Sequence, residues 1–112
     1  MKVFIIALVF LFSFDVSAME EEEKLIVKRC QYVSGIAMNV QRIRQETHHD
    51  FRRFCIEVDK IYQEGEGLEV VKGIALKVYE SVIPEATPDE VFSSLYNHCV
   101  KVEMDKANEV YF

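Results

Sequence analysis

The stretch LIVKRCQYVSGIAMNVQRI, residues 25–43, decides the class of fold. Ile26, Cys30, Val33, Ala37 and Val40 recur at steps of four, three, four and three, which draws one apolar stripe along an α-helix. Leu25, Ile36 and Ile43 widen that stripe. Upstream, Glu20-Glu21-Glu22-Glu23 places negative charge where a helix N-terminus favours it, and Arg42 and Arg44 place positive charge near the other end. The spacing predicts a helix from about residue 20 to residue 46.

Downstream, the same period returns three times. Thr47-His48-His49-Asp50 breaks the stripe, with Thr47 expected as the N-cap of the next helix. Phe51, Phe54, Cys55, Val58, Ile61 and Tyr62 then mark a second helix to about residue 63. Glu64-Gly65-Glu66-Gly67 reads as a loop. A third helix, about 68–82, buries Val71, Ile74, Ala75, Val78, Tyr79 and Val82; Gly73 is expected to admit a close neighbour, and Pro84 ends the run. Thr87-Pro88-Asp89-Glu90 is a capping box with proline at the first helical position. It opens a fourth helix to about residue 108, carrying Val91, Phe92, Leu95, Tyr96, Cys99 and Val102 inward. With no competing alternating pattern, the fold class is all-α, a small four-helix bundle.

Residues 1–18 read differently. Lys2 precedes an apolar run, Val3–Phe14, and Val16-Ser17-Ala18 supplies the small-residue end of a secretory signal. The run is shorter than the ~20 apolar residues of a membrane span, and Asp15 sits badly in lipid. Cleavage after Ala18 leaves residues 19–112 as a single helical domain, exported to the periplasm or secreted, with no stable membrane insertion. The cleaved part carries one charge of each sign, so the net charge stays at -6. An acidic chain lacks the excess of Lys and Arg that phosphate backbones require, which argues against nucleic acid as partner.

In an oxidising compartment the three cysteines point to a disulfide. Three single pairings are open. Cys30–Cys99 is the one expected, because it ties the first helix to the last and closes the longest loop. Cys55 is then left as a buried core thiol or a route to a covalent dimer. Tyr32, Tyr62, Tyr79 and Tyr96 are expected at core edges with their hydroxyls in water.

From Cys30 onward, Cys30, Ala37, Arg44-Gln45, Val78-Tyr79, Pro84 and Cys99 resemble a loose class of small exported helical proteins of bacteria and their phages, bracketed by two cysteines. That resemblance implies a fold and an envelope location. Tyr32-Val33-Ser34-Gly35-Ile36, Phe54-Cys55, Val70-Val71 and Cys99 also look like the Rap1a/Tai immunity proteins, periplasmic helical proteins that silence cell-wall amidases. The proline expected after the middle cysteine is replaced here by Ile56-Glu57-Val58. The second resemblance implies a protein that binds and blocks an enzyme.

Catalytic chemistry has little to stand on. His48 and His49 are sequence neighbours, which do not face one another on a helix, and no zinc-ligand spacing completes them. His48 and Cys55 share a helical spacing, but Cys55 is set among Phe51, Phe54 and Val58, away from the electropositive setting a reactive thiol needs. No phosphate loop is present, and no cofactor is expected. Charge is the more informative pattern. Arg42, Arg44, Arg52 and Arg53 flank the first turn, while Glu57, Asp59, Glu64, Glu66 and Glu69 follow as an acidic stretch. A bipolar molecule results, and the four arginines are the expected partner contact. The functional expectation is a non-enzymatic protein that binds or inhibits another protein, with its oligomeric state open. The alternatives are a carrier of a small ligand between helices and a phage-encoded modulator of superinfection or lysis.

Overall fold

The computed structural model describes the backbone of residues 2–111 and the side chains of residues 21–107. The export signal, read from the side chains of residues 1–18, therefore lies outside the described residues. Four helices follow one another: α1 (Lys2–Thr47), α2 (Phe51–Ile61), α3 (Glu66–Ser81) and α4 (Pro88–Tyr111). Among the described residues there is no strand, and no helix is long and apolar enough to cross a membrane.

α1 and α4 make the broadest contact, α3 packs on α1, and α2 packs on α3. One core joins all four helices, built from Ala37, Val40, Phe54, Val58, Leu68, Ala75, Val78 and Val91. Ile36, Phe51, Ile74, Tyr79 and Leu95 close around it. The Cys30–Cys99 disulfide pins α1 to α4 beyond the part of α1 that carries this core, leaving Cys55 as a free, half-buried thiol. Arg29 and Glu103 pair across the same two helices at 3.3 Å.

The first turn differs from its sequence reading. Thr47 is the last residue of α1, and its Oγ1 donates back to the Ile43 carbonyl at 2.7 Å. His48 takes a left-handed backbone (φ 58°) and turns the chain. Asp50 is the N-cap of α2, accepting the Arg53 amide at 2.9 Å. A cap must immediately precede the first helical residue, and two turn residues separate Thr47 from that place. The N-cap at Thr87 forms as read, with the Glu90 amide donating to Thr87 Oγ1 at 3.1 Å, while among the described residues the Glu90 carboxylate makes no return bond to the Thr87 amide.

The apolar stripe of α1 is narrower than its sequence. At roughly 100° per residue, Leu25, Tyr32 and Ile43 share one flank that points well away from the Cys30–Ala37 line. No helix covers that flank; Leu25 and Tyr32 are 63% and 58% exposed, and Ile43 is exposed too. Gly73 does not serve a close approach, since it is exposed and a Cβ there would meet nothing within 4 Å. α3 starts two residues earlier than expected, at Glu66, after Gly65 takes an extended backbone of positive φ that glycine enters readily. Tyr79 turns its hydroxyl inward and donates to the His49 carbonyl at 3.1 Å, which ties α3 to the first turn.

Candidate functional site

The four arginines expected as the partner contact, Arg42, Arg44, Arg52 and Arg53, are engaged in different ways. Two residues apart on a helix is roughly 200° of rotation, so Arg42 and Arg44 leave α1 on opposite sides. Arg44 is drawn into the fold: its Nη1 donates to the Val82 carbonyl at 2.9 Å, and its guanidinium lies 4.7 Å from the centre of the Tyr79 ring. Gln41, fully buried, donates from Nε2 to the carbonyls of Ile83, Pro84 and Ala86 at 3.1, 3.2 and 2.9 Å. Gln45 reaches the carbonyls of Pro84 and Ala86 as well, at 3.0 and 2.6 Å. One polar edge of α1 thus holds the α3–α4 loop, satisfying carbonyls that helices on either side leave unpaired. Arg53 pairs with Glu57 one turn along at 3.0 Å, and Arg42 donates to Asn39 at 3.3 Å. Arg52 stays exposed.

Burial and Arg44 act oppositely on Tyr79: burial raises its phenol above the ordinary value, and the guanidinium partly offsets this. Cys55 follows the same logic. Burial raises its thiol above the ordinary value, the Lys72 charge lowers it, and Asp59 raises it again. The charges acting on Cys55 therefore belong to the α2–α3 interface, whereas His48 sits exposed in the first turn. Among the described residues no three His, Cys, Asp or Glu side chains are grouped to hold a metal ion.

At the acidic stretch the described surface is concave. The end of α2, the Glu64–Gly65 turn and the start of α3 enclose a notch of about 420 Å³ lined by Asp59, Tyr62, Glu64, Leu68, Glu69 and Lys72. Leu68 is part of the buried core. Lys72 Nζ bonds to Asp59 at 2.6 Å, and that hydrogen bond is the main reason the Lys72 ammonium titrates above its ordinary value, with Glu69 adding to it. The carboxylates of Glu64 and Glu69 make no ion pair or hydrogen bond among the described residues. At the lip, Ile61 and Tyr62 are 76% and 52% exposed.

The acidic residues and a glycine turn before α3 were visible in the sequence, though the turn ends at Gly65 because Glu66 and Gly67 already belong to α3; the notch was not visible. It depends on Lys72 crossing from α3 to Asp59 on α2, and on α2 stopping at Ile61 so that the last of its apolar period falls outside the core. Compared with family models, curated proteins and solved structures, the chain matches none.

Proposed function

We propose that this chain is an exported, disulfide-tied helical protein that works by binding another protein and blocking it, without chemistry of its own. The observation that carries this reading is the pair Ile61 and Tyr62: two adjacent large apolar side chains held in water at the rim of a notch. Large apolar side chains presented together beside polar groups are the usual make-up of an interface centre. A disulfide between α1 and α4 fits a protein made for an oxidising compartment, because such bonds persist outside the cytosol. The resemblance to immunity proteins that silence envelope enzymes supports the same reading. The basic corner remains a second proposed contact, with Arg42 and Arg52 exposed, Arg53 exposed beside Glu57, and Arg44 committed to Val82 and Tyr79.

The test begins by capturing a target from envelope or secreted extracts on the oxidised protein, continuing with that target purified. A 1:1 complex is expected to form with wild type, to be lost with Ile61→Asp, and to remove the target's own activity. A target that keeps full activity when saturated, or that binds Ile61→Asp equally well, overturns the reading.

A further inference from the structure

Resting on the protein-binding reading, we infer that the α2–α3 notch is built to receive a basic side chain of the partner, an arginine best of all, flanked by apolar residues that cover Ile61 and Tyr62. Three carboxylates and one ammonium line the notch, and Asp59 and Lys72 neutralise each other at 2.6 Å. Glu64 and Glu69 are left to set its sign. The C-terminal end of α2 at Ile61 adds the partial negative charge of its unpaired carbonyls, and Glu66 and Glu69 outweigh the opposite pole of α3. A volume of about 420 Å³ has room for a guanidinium and its stem. The planar fork of arginine suits two separated carboxylates, and the half-exposed Tyr62 ring offers a face for a cation. The floor at Leu68 takes the methylene stem, which arginine buries while its head stays polar.

A second copy of this chain is the weaker occupant, although Arg52 is exposed. Docking the basic corner of one copy into the notch of the next is a heterologous contact, and such contacts propagate into open chains unless the rotation closes.

Amide-resolved NMR titration of the oxidised chain with the peptide acetyl-Leu-Arg-Leu-amide tests the site without needing the partner. Saturable shifts confined to residues 59–72 are expected. Binding should weaken about tenfold when citrulline, of the same shape but uncharged, replaces the arginine. It should weaken similarly in a Glu64→Gln, Glu69→Gln variant, both exposed changes that leave the core intact. Shifts scattered over all surface carboxylates, or equal binding of the citrulline peptide, overturn the inference. So does N-acetyl-argininamide alone binding as tightly as the flanked peptide, since Ile61 and Tyr62 would then have no share. Sedimentation that reveals concentration-dependent polymers, abolished by the Glu64 and Glu69 changes, makes the occupant a second copy and also overturns it. A captured target whose affinity is unchanged by those two substitutions removes the notch while leaving the protein-binding reading standing.

Discussion

Gln41 places one amide nitrogen within 3.2 Å of three carbonyl oxygens, those of Ile83, Pro84 and Ala86. Seven residues earlier on the same helix, Ser34 is equally buried, but its Oγ has no hydrogen-bond partner. The two buried polar side chains on α1 should therefore respond oppositely to removal. Gln41→Leu keeps the volume and deletes the donor. Gln45 still serves Pro84 and Ala86, and the Ala86 amide still donates to the Ile83 carbonyl at 3.2 Å, so each carbonyl keeps one donor while the loop loses its buried anchor. A loss of about 1 kcal/mol is expected, the net worth of a hydrogen-bonded side chain whose acceptors keep other donors. Ser34→Ala removes an unsatisfied hydroxyl, so stability should stay level or rise by up to about 1 kcal/mol. Urea unfolding of both variants against wild type is the measurement. A Gln41→Leu midpoint indistinguishable from wild type would show that the α1 polar edge does not hold the α3–α4 loop.

At the scale of the helix, the sequence makes the elements legible and their ends only partly so. The four apolar stripes locate α1 to α4 because burying one face of a helix leaves a period near 3.6 wherever it happens. Thr87 is legible as a cap because proline follows it at once. Thr47 is not, because a left-handed His48 lies between it and the helix it was expected to cap. A single chain gives no local sign that His48 takes that backbone. The reach of Arg44, Gln41 and Gln45 is illegible for a different reason: their partners lie about forty residues away, and nothing local in α1 marks which loop will be laid against it. The same holds for the notch, which needs Lys72 beside Asp59. The excess width of the α1 stripe is a matter of partners: α3 and α4 pack on α1 while α2 packs on α3, and the Leu25–Tyr32 flank remains in water. The caps supply a direct contrast. Thr87→Ala and Asp50→Ala should each destabilise by about 1 kcal/mol, since each removes the acceptor of an otherwise orphan amide. Thr47→Ala should cost less, about 0.5 kcal/mol, because its exposed hydroxyl back-bonds to Ile43 and accepts the His49 amide of the turn rather than an amide of α2. Thermal melts of the three variants decide it, and a Thr47→Ala loss as large as that of Asp50→Ala would mean the turn is capped from α1 after all.

On the scale of the whole molecule, the disulfide and the core divide the work along α1. The shared core takes its α1 members from Ile36, Ala37 and Val40, where α3 and α4 both reach that helix. Toward the N-terminus of α1 the described contacts are those with α4: Ile26 is buried, Arg29 pairs with Glu103, and Cys30 bonds Cys99. Two helices without a third bury little, so the covalent bond substitutes for packing in that half. The bond spans a sequence separation of 69 residues, for which the chain-entropy account gives roughly 4 kcal/mol, a large part of the 5–15 kcal/mol typical of a domain. A Cys30→Ala, Cys99→Ala variant is accordingly expected to lose about that much in urea unfolding. Its location should be visible as well. In hydrogen exchange, amides of residues 22–33 and 99–107 should lose protection first and by opening separately, while those around Val40, Val78 and Val91 follow global unfolding. A uniform loss of protection along the chain would mean that the two-helix end and the core open as one unit, so the disulfide would be acting on the unfolded chain alone. An unchanged urea midpoint would remove the stapling role altogether and leave Cys30 as an ordinary buried side chain of the α1–α4 seam.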